Sequence, residues 1–297
     1  MEAKTTDVSF LRNAIIDDLF RGLGPIAEGL PRKIMWPIVW PPANKFSQLA
    51  ARFDKFVENY GNIRDAMQDL LPNFVSDVKI SGADVVPQNG PLLVVSNHPG
   101  TFDEVVIASS LPRKDLKIVA GGFPFLRNLQ HTSKHLIFIS QNFGERMAVV
   151  REIIKHLENG LSLLLFPRGA VEPDPAVLPG AAESLKSWSR SLDLILRKVP
   201  QTQVQVAIIS GVLSPSVLKH PITRLFKDIR QKQKVAEGIQ IMQQLFNPQK
   251  YNLIPNLTFE NPFYISDIPA SKMDRSLILT SVIQRAKSML ELHTHLF

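Results

Sequence analysis

The sequence predicts an α/β fold: a mixed, largely parallel sheet flanked by helices and preceded by an N-terminal helical segment. Three observations predict it. From about residue 76 onward, short apolar runs alternate with amphipathic stretches, the order of elements that builds a parallel or mixed sheet. The first 75 residues instead carry apolar side chains at helical spacing. The chain has 297 residues, 44% hydrophobic and 21% charged, which is enough apolar material for a sizeable core.

Each element follows from its own pattern. Val8, Leu11, Ile15, Leu19 and Leu23 mark a first helix, and Phe46, Leu49, Phe53, Phe56, Ile63, Met67, Leu70 and Leu71 mark further helix. Between them, Pro31, Pro37, Pro41 and Pro42 argue against a long regular helix, because proline lacks the amide hydrogen and clashes with the preceding turn. Trp36 and Trp40 lie here near Arg32 and Lys33. That grouping fits an interfacial membrane anchor, and equally an inter-helix connection whose tryptophans pack on the core. The expected strands are Val78–Ile80, Leu92–Val95, Lys117–Ala120, Leu136–Ile139, Leu161–Phe166, Val204–Ile209 and Leu257–Ile265. Helical patterns occupy 103–110, 145–158, 181–198, 223–246 and 271–292. The division is therefore 1–75, a helical segment with a candidate membrane contact, and 76–297, the α/β domain.

Composition excludes several classes. The absence of cysteine removes disulfide scaffolds, thiolate metal sites and a cysteine nucleophile. No apolar run reaches the roughly 18–20 residues of a membrane span, and the N-terminus lacks a secretory layout. The expected location is cytoplasmic, peripheral on a membrane. The net charge of +7 is uneven: Lys219, Arg224, Lys227, Arg230, Lys232 and Lys234 are opposed only by Asp228. Such a stretch suits anionic lipid, a phosphorylated ligand or an acidic carrier protein, or is simply a solvated helix face. Aromatic residues are not interleaved with it, so no nucleic-acid partner is expected. His131 and His135 have i, i+4 spacing but no third ligand at metal-site spacing, so no metal is expected. His293 and His295 are expected to be exposed.

In open α/β sheets, ligands bind beyond the carboxyl ends of strands. The stretch Pro91–Glu104 runs an apolar strand into Asn97-His98-Pro99-Gly100, with Asp103 five residues after the histidine. A carboxylate that accepts one imidazole N–H fixes the tautomer and leaves the other nitrogen to take a proton from an alcohol. Thr101 and Glu104 also have the spacing of a helix capping box, which would make Asp103 a first-turn acid and His98 a turn residue.

The stretch resembles the Asn-His-x-x-x-x-Asp block of the glycerolipid acyltransferase family, which includes lysophosphatidate and glycerol-3-phosphate acyltransferases; Asn97, His98 and Asp103 match in place. The resemblance implies His98 as general base for the acceptor hydroxyl, Asp103 as its orienter, and acyl-CoA or an acyl carrier protein as donor. It implies neither metal nor redox cofactor.

Three further blocks fall in the family order. The second matches His135–Gln141 in its apolar centre, with Gln141 where the family has arginine. The third, Phe-Pro-Glu-Gly-Thr-Arg-Ser, is represented by Phe166-Pro167-Arg168-Gly169-Ala170-Val171-Glu172. The fourth is echoed by Val204–Ile208. Both arginines that the family assigns to the acceptor phosphate are missing from their usual places. Phe166, Pro167, Arg168 and Gly169 are therefore expected to wall the acceptor headgroup, Arg168 supplying a compensating cation. Arg127, Lys134, Arg146 and Arg151 are further candidates, and Glu172 or Asp174 for the role of the lost glutamate. The function expected is acyl transfer to a hydroxyl of a glycerophospholipid precursor or related lipid. The alternatives are a non-catalytic lipid-binding protein on this fold, and a thioesterase or lipid hydrolase in which water replaces the alcohol.

Overall fold

The computed structural model describes residues 7–23, 32–139, 143–268 and 277–297. Leu30 and Pro31, the Ser140–Gln141 end of the second block and the start of the 271–292 helical pattern lie outside them. Among the described residues, the α-helices of five residues or more are α1 (Val8–Leu23), α2 (Arg32–Tyr60), α3 (Ile63–Leu70), α4 (Asp103–Ser110), α5 (Phe143–Glu158), α6 (Ala181–Leu185), α7 (Ser191–Lys198), α8 (Ile229–Gln244) and α9 (Leu277–Leu296). The strands are β1 (Lys79–Ser81), β2 (Leu92–Ser96), β3 (Lys117–Gly121), β4 (Leu136–Ile139), β5 (Ser162–Leu165), β6 (Gln203–Ser210) and β7 (Asn256–Phe259).

They form one sheet in the order β1-β7-β6-β2-β5-β3-β4. Every pairing is parallel except β6 with β7. The fold is the mixed, largely parallel α/β architecture that the alternating pattern predicts. Side chains alternate across the pleat. Leu92, Val94, Ile118, Leu164 and Ile209 enter a core closed by α3, α4 and the second half of α2. Leu93, Val95, Val119, Leu163 and Ile208 enter another, closed by α5, α7 and α9. Burial on both faces is why β2 and β5 read as unbroken apolar runs.

Helix α2 overturns one expectation, for it continues through Pro37, Pro41 and Pro42. The carbonyls that lose donors are those of Lys33, Pro37 and Ile38, four residues back. Pro37 and Ile38 are exposed, so water can satisfy their carbonyls. The opposite side supplies Val39, Ala43 and Ala50, which pack with Leu11, Ile15 and Ile16 of α1. That packing holds the helix through the gaps in its ladder.

Two other boundaries shift for reasons that bear on the site. The single helical pattern at 181–198 is two helices, because the chain between them turns inward. There Ser189 N–H donates to the Pro167 carbonyl at 2.9 Å, and the Trp188 indole is buried. The pattern at 223–246 begins its α-helix only at Ile229, where the Asp228 side chain caps the Gln231 N–H at 2.9 Å.

β2 is the middle strand, hydrogen-bonded to β5 on one side and β6 on the other, all three parallel. Their carboxyl ends therefore open onto one edge. The His98 turn, the Phe166–Asp174 loop and the loop from Gly211 meet there.

Candidate active site

Asn97 fastens the start of the turn. Its amide donates to the Ile209 carbonyl at 2.8 Å and accepts the Ile209 N–H at 2.9 Å, extending the β2–β6 ladder with a side chain. His98 follows with its backbone held by Glu172: His98 N–H donates to Glu172 Oε2 at 2.9 Å, and Glu172 N–H donates to the His98 carbonyl at 2.7 Å. The chain then folds back. Asp103, fully buried, accepts from His98 Nδ1 at 3.0 and 2.8 Å and from Gly100 N–H at 3.0 Å.

This arrangement decides between the two readings of the turn. The N-cap of α4 is Phe102, with no side-chain cap. The Thr101 hydroxyl donates instead to Glu237 Oε2 at 3.2 Å. Asp103 therefore serves the imidazole. His98 Nε2 has no hydrogen-bond partner among the described residues, and the side chain is 20% exposed. An imidazole whose Nδ1 is fixed by a carboxylate and whose Nε2 has no partner has a nitrogen that can accept a proton.

The third-block residues separate in role. The Phe166 ring lies 4.5 Å from the His98 imidazole, centroid to centroid, and tilted by 30°. The Pro167 carbonyl is engaged with Ser189. Gly169, at φ +65°, occupies the left-handed region and closes a turn back to the Phe166 carbonyl at 3.0 Å. Arg168 is half-buried and donates to the Val171 carbonyl of its own loop at 2.7 Å. Burial and the nearby Arg230 both disfavour its charge. Arg127 lies over the Phe138 ring at 4.5 Å, engaged with β4.

Both carboxylates raised as replacements for the lost glutamate are buried. Glu172 also accepts from Ser184 Oγ at 2.8 Å and Trp188 Nε1 at 3.3 Å. Asp174 ties its loop to the end of β6 by accepting from Gly211 N–H at 2.9 Å and Leu213 N–H at 3.0 Å. Glu172 is the one that touches the His98 turn.

Two residues of α8 that sequence reasoning passed over complete the surroundings. Gln233 donates to the carbonyls of Pro99 at 2.7 Å and Glu172 at 2.9 Å, and Glu237 faces Thr101. Burial favours a neutral imidazole, but Asp103, with Glu104 and Glu237 beyond it, outweighs that, and the His98 pKa is pushed up to about 9. Burial and then the Asp103 charge push Glu104 up to about 7, and burial pushes Glu237 up to about 7.

Residues 77–196 match the family model described as Acyltransferase. Those residues are similar to an acyltransferase domain. The match takes in His98, Asp103, the third block and Glu172, and ends before β6 and α8. The crystal structure of the 1-acyl-sn-glycerophosphate (LPA) acyltransferase PlsC from Thermotoga maritima aligns over 95% of this chain and 94% of its own, at 18% identity and a TM-score of 0.41. Comparison with curated proteins gives no match.

Proposed function

We propose that the acyltransferase domain moves a fatty acyl group from acyl-CoA or an acyl carrier protein to a hydroxyl of a glycerophospholipid precursor or related lipid. The observation that carries the reading is the imidazole of His98, bound at Nδ1 by both oxygens of a buried Asp103 and with no hydrogen-bond partner for Nε2 among the described residues. In the reaction, Nε2 takes the acceptor's hydroxyl proton as the oxygen attacks the thioester carbonyl. The carbon–sulfur bond then breaks, and the imidazolium returns the proton to the leaving thiolate. Asp103 stabilises the imidazolium between these steps. Arg168, at the rim beside Phe166, is the cation proposed for the acceptor's anionic headgroup.

Thioesters of long acyl chains and lysolipids gather at membranes. No helix among the described residues is long and apolar enough to cross one. The proposed contact is therefore peripheral. Ile34, Trp36, Ile38 and Trp40 of α2 are exposed at 59%, 39%, 70% and 38%, and Leu225 and Ile229 are exposed beside Arg224, Lys227 and Arg230.

The test is thioester turnover with a panel of lysolipid and glycerol-phosphate acceptors in mixed micelles. Wild type is expected to form an acylated product, with a rate that climbs as His98 loses its proton toward pH 9. His98→Ala is expected to lose at least about 10²-fold. Free fatty acid as the main product at saturating acceptor would make the protein a hydrolase. Tight lysolipid binding without turnover would make it a binding protein.

A further inference from the structure

The His98 turn is gripped by a helix outside the matched residues. Gln233, Glu237, Gln240 and Gln244 of α8 point inward at helical spacing and are each at most 7% exposed. The three glutamines satisfy backbone groups: Gln233 those of Pro99 and Glu172, Gln240 those of Val212 and Ser214, and Gln244 that of Phe74. Glu237 differs. It takes no backbone group: its Oε2 accepts the Thr101 hydroxyl, the Gln233 amide also favours its charge, and its Oε1, like that of Gln244, is buried with no hydrogen-bond partner among the described residues. A Cβ placed on Gly100 would stand 3.9 Å from the Glu237 carboxyl carbon, so the carboxylate rests on the turn between His98 and Asp103.

A glutamine at 237 would keep the Thr101 bond without burying a charge, so stability does not account for the acid. We propose that Glu237 is a positioning residue for the acyl-transfer base, a third carboxylate that holds the His98–Asp103 turn and whose charge stabilises the imidazolium formed there. The inference rests on His98 being that base. The ionisable groups around the imidazole come from every packed element: Asp103 and Glu104 from α4, Glu172 from the loop after β5, and Glu237 from α8, with Arg168 and Arg230 at the rim. Among the carboxylates, Glu237 is supplied by a helix that carries none of the family blocks.

The test is the imidazole's own titration, read by NMR on full-length protein labelled with ¹⁵N-histidine and assigned with His98→Gln. In Glu237→Gln the His98 midpoint is expected to fall by about half a pH unit or more, with the thermal midpoint unchanged or raised. Glu237→Asp, which keeps the charge, is expected to restore much of the difference. The acid limb of kcat/KM should move with the titration. If Glu237→Gln does not fold, Thr101→Val cuts the same link from the turn's side, and its His98 midpoint is expected to fall too. An unmoved midpoint alongside normal turnover overturns the role of Glu237 alone. A moved midpoint in a protein that transfers no acyl group overturns the premise that His98 is the base.

Discussion

His293 shows how far one buried ring can depart from a sequence-based expectation. It was expected at the surface near the chain's end, but it is 1% exposed. Ser210 Oγ lies 2.7 Å from its Nε2, and Thr258 Oγ1 lies 2.8 Å from its Nδ1, so α9 is pinned to β6 and β7. Burial favours the neutral ring, in which one nitrogen donates and the other accepts. Burial accordingly pushes its pKa down to about 4. The folded state binds this proton more weakly than the unfolded one, so the ring's contribution is complete above about pH 6.5 and is lost as the pH falls through about 4. His293→Gln is expected to lower the thermal midpoint at pH 7 and to flatten its fall between pH 6.5 and 4. A wild-type slope in the variant would place that dependence elsewhere. At the same scale, His98 and Asp103 were legible because a histidine just past an apolar strand, with an acid five residues on, has a local spacing to read. His293 offered none: its partners are 83 and 35 residues away.

Among the elements, α8 and α2 mark where pattern reading succeeds and where it stops. The cations of α8 have the pattern of a surface, and Arg230 and Lys234 are exposed. Its inward stripe was invisible to the same reading, because glutamine and glutamate at helical spacing look like a solvated face. They are buried because four segments with backbone groups to satisfy lie beneath them, at Phe74, Pro99, Glu172 and Val212–Ser214. Gln240 carries two of these duties, donating to the Val212 carbonyl and accepting from Ser214 N–H, both at 2.8 Å. Gln240→Ala leaves both groups buried and unpaired, and is expected to cost at least about 2 kcal/mol. That loss should appear as a lower denaturation midpoint at constant m-value. A loss below about 0.5 kcal/mol would mean that water replaces the amide. From local geometry alone the prolines of α2 are helix breakers. What carries the helix past them is packing against α1, which local geometry does not contain.

For the molecule as a whole, the sheet order puts three carboxyl ends side by side, and the alternation of runs was sufficient to expect such an edge. Which loops meet there was not legible, since strand order depends on pairings between distant segments. The placing of Glu172 beneath His98 is one result. The exposed apolar and basic residues of α2 and of 222–230 are likewise distant in sequence. If they form the proposed membrane contact, the protein is expected to cosediment with anionic vesicles and to release as salt shortens the Debye length from about 10 Å at 0.1 M to about 3 Å at 1 M. Trp36→Ser with Trp40→Ser should weaken the salt-resistant remainder. Equal binding to neutral vesicles at any salt would remove the basic residues from the contact. The bonds that hold the His98 turn reach 74 residues along the chain to Glu172, 112 from Asn97 to Ile209, and 134 from Pro99 to Gln233. Contacts so remote close late in folding. A ribosome that has released the matched residues, up to residue 196, has supplied Glu172 but neither Ile209 nor Gln233, which also hold the turn. The turn that carries the proposed base is thus completed only after Gln233 has been made, and a shorter nascent chain carrying His98 and Asp103 lacks part of what holds them.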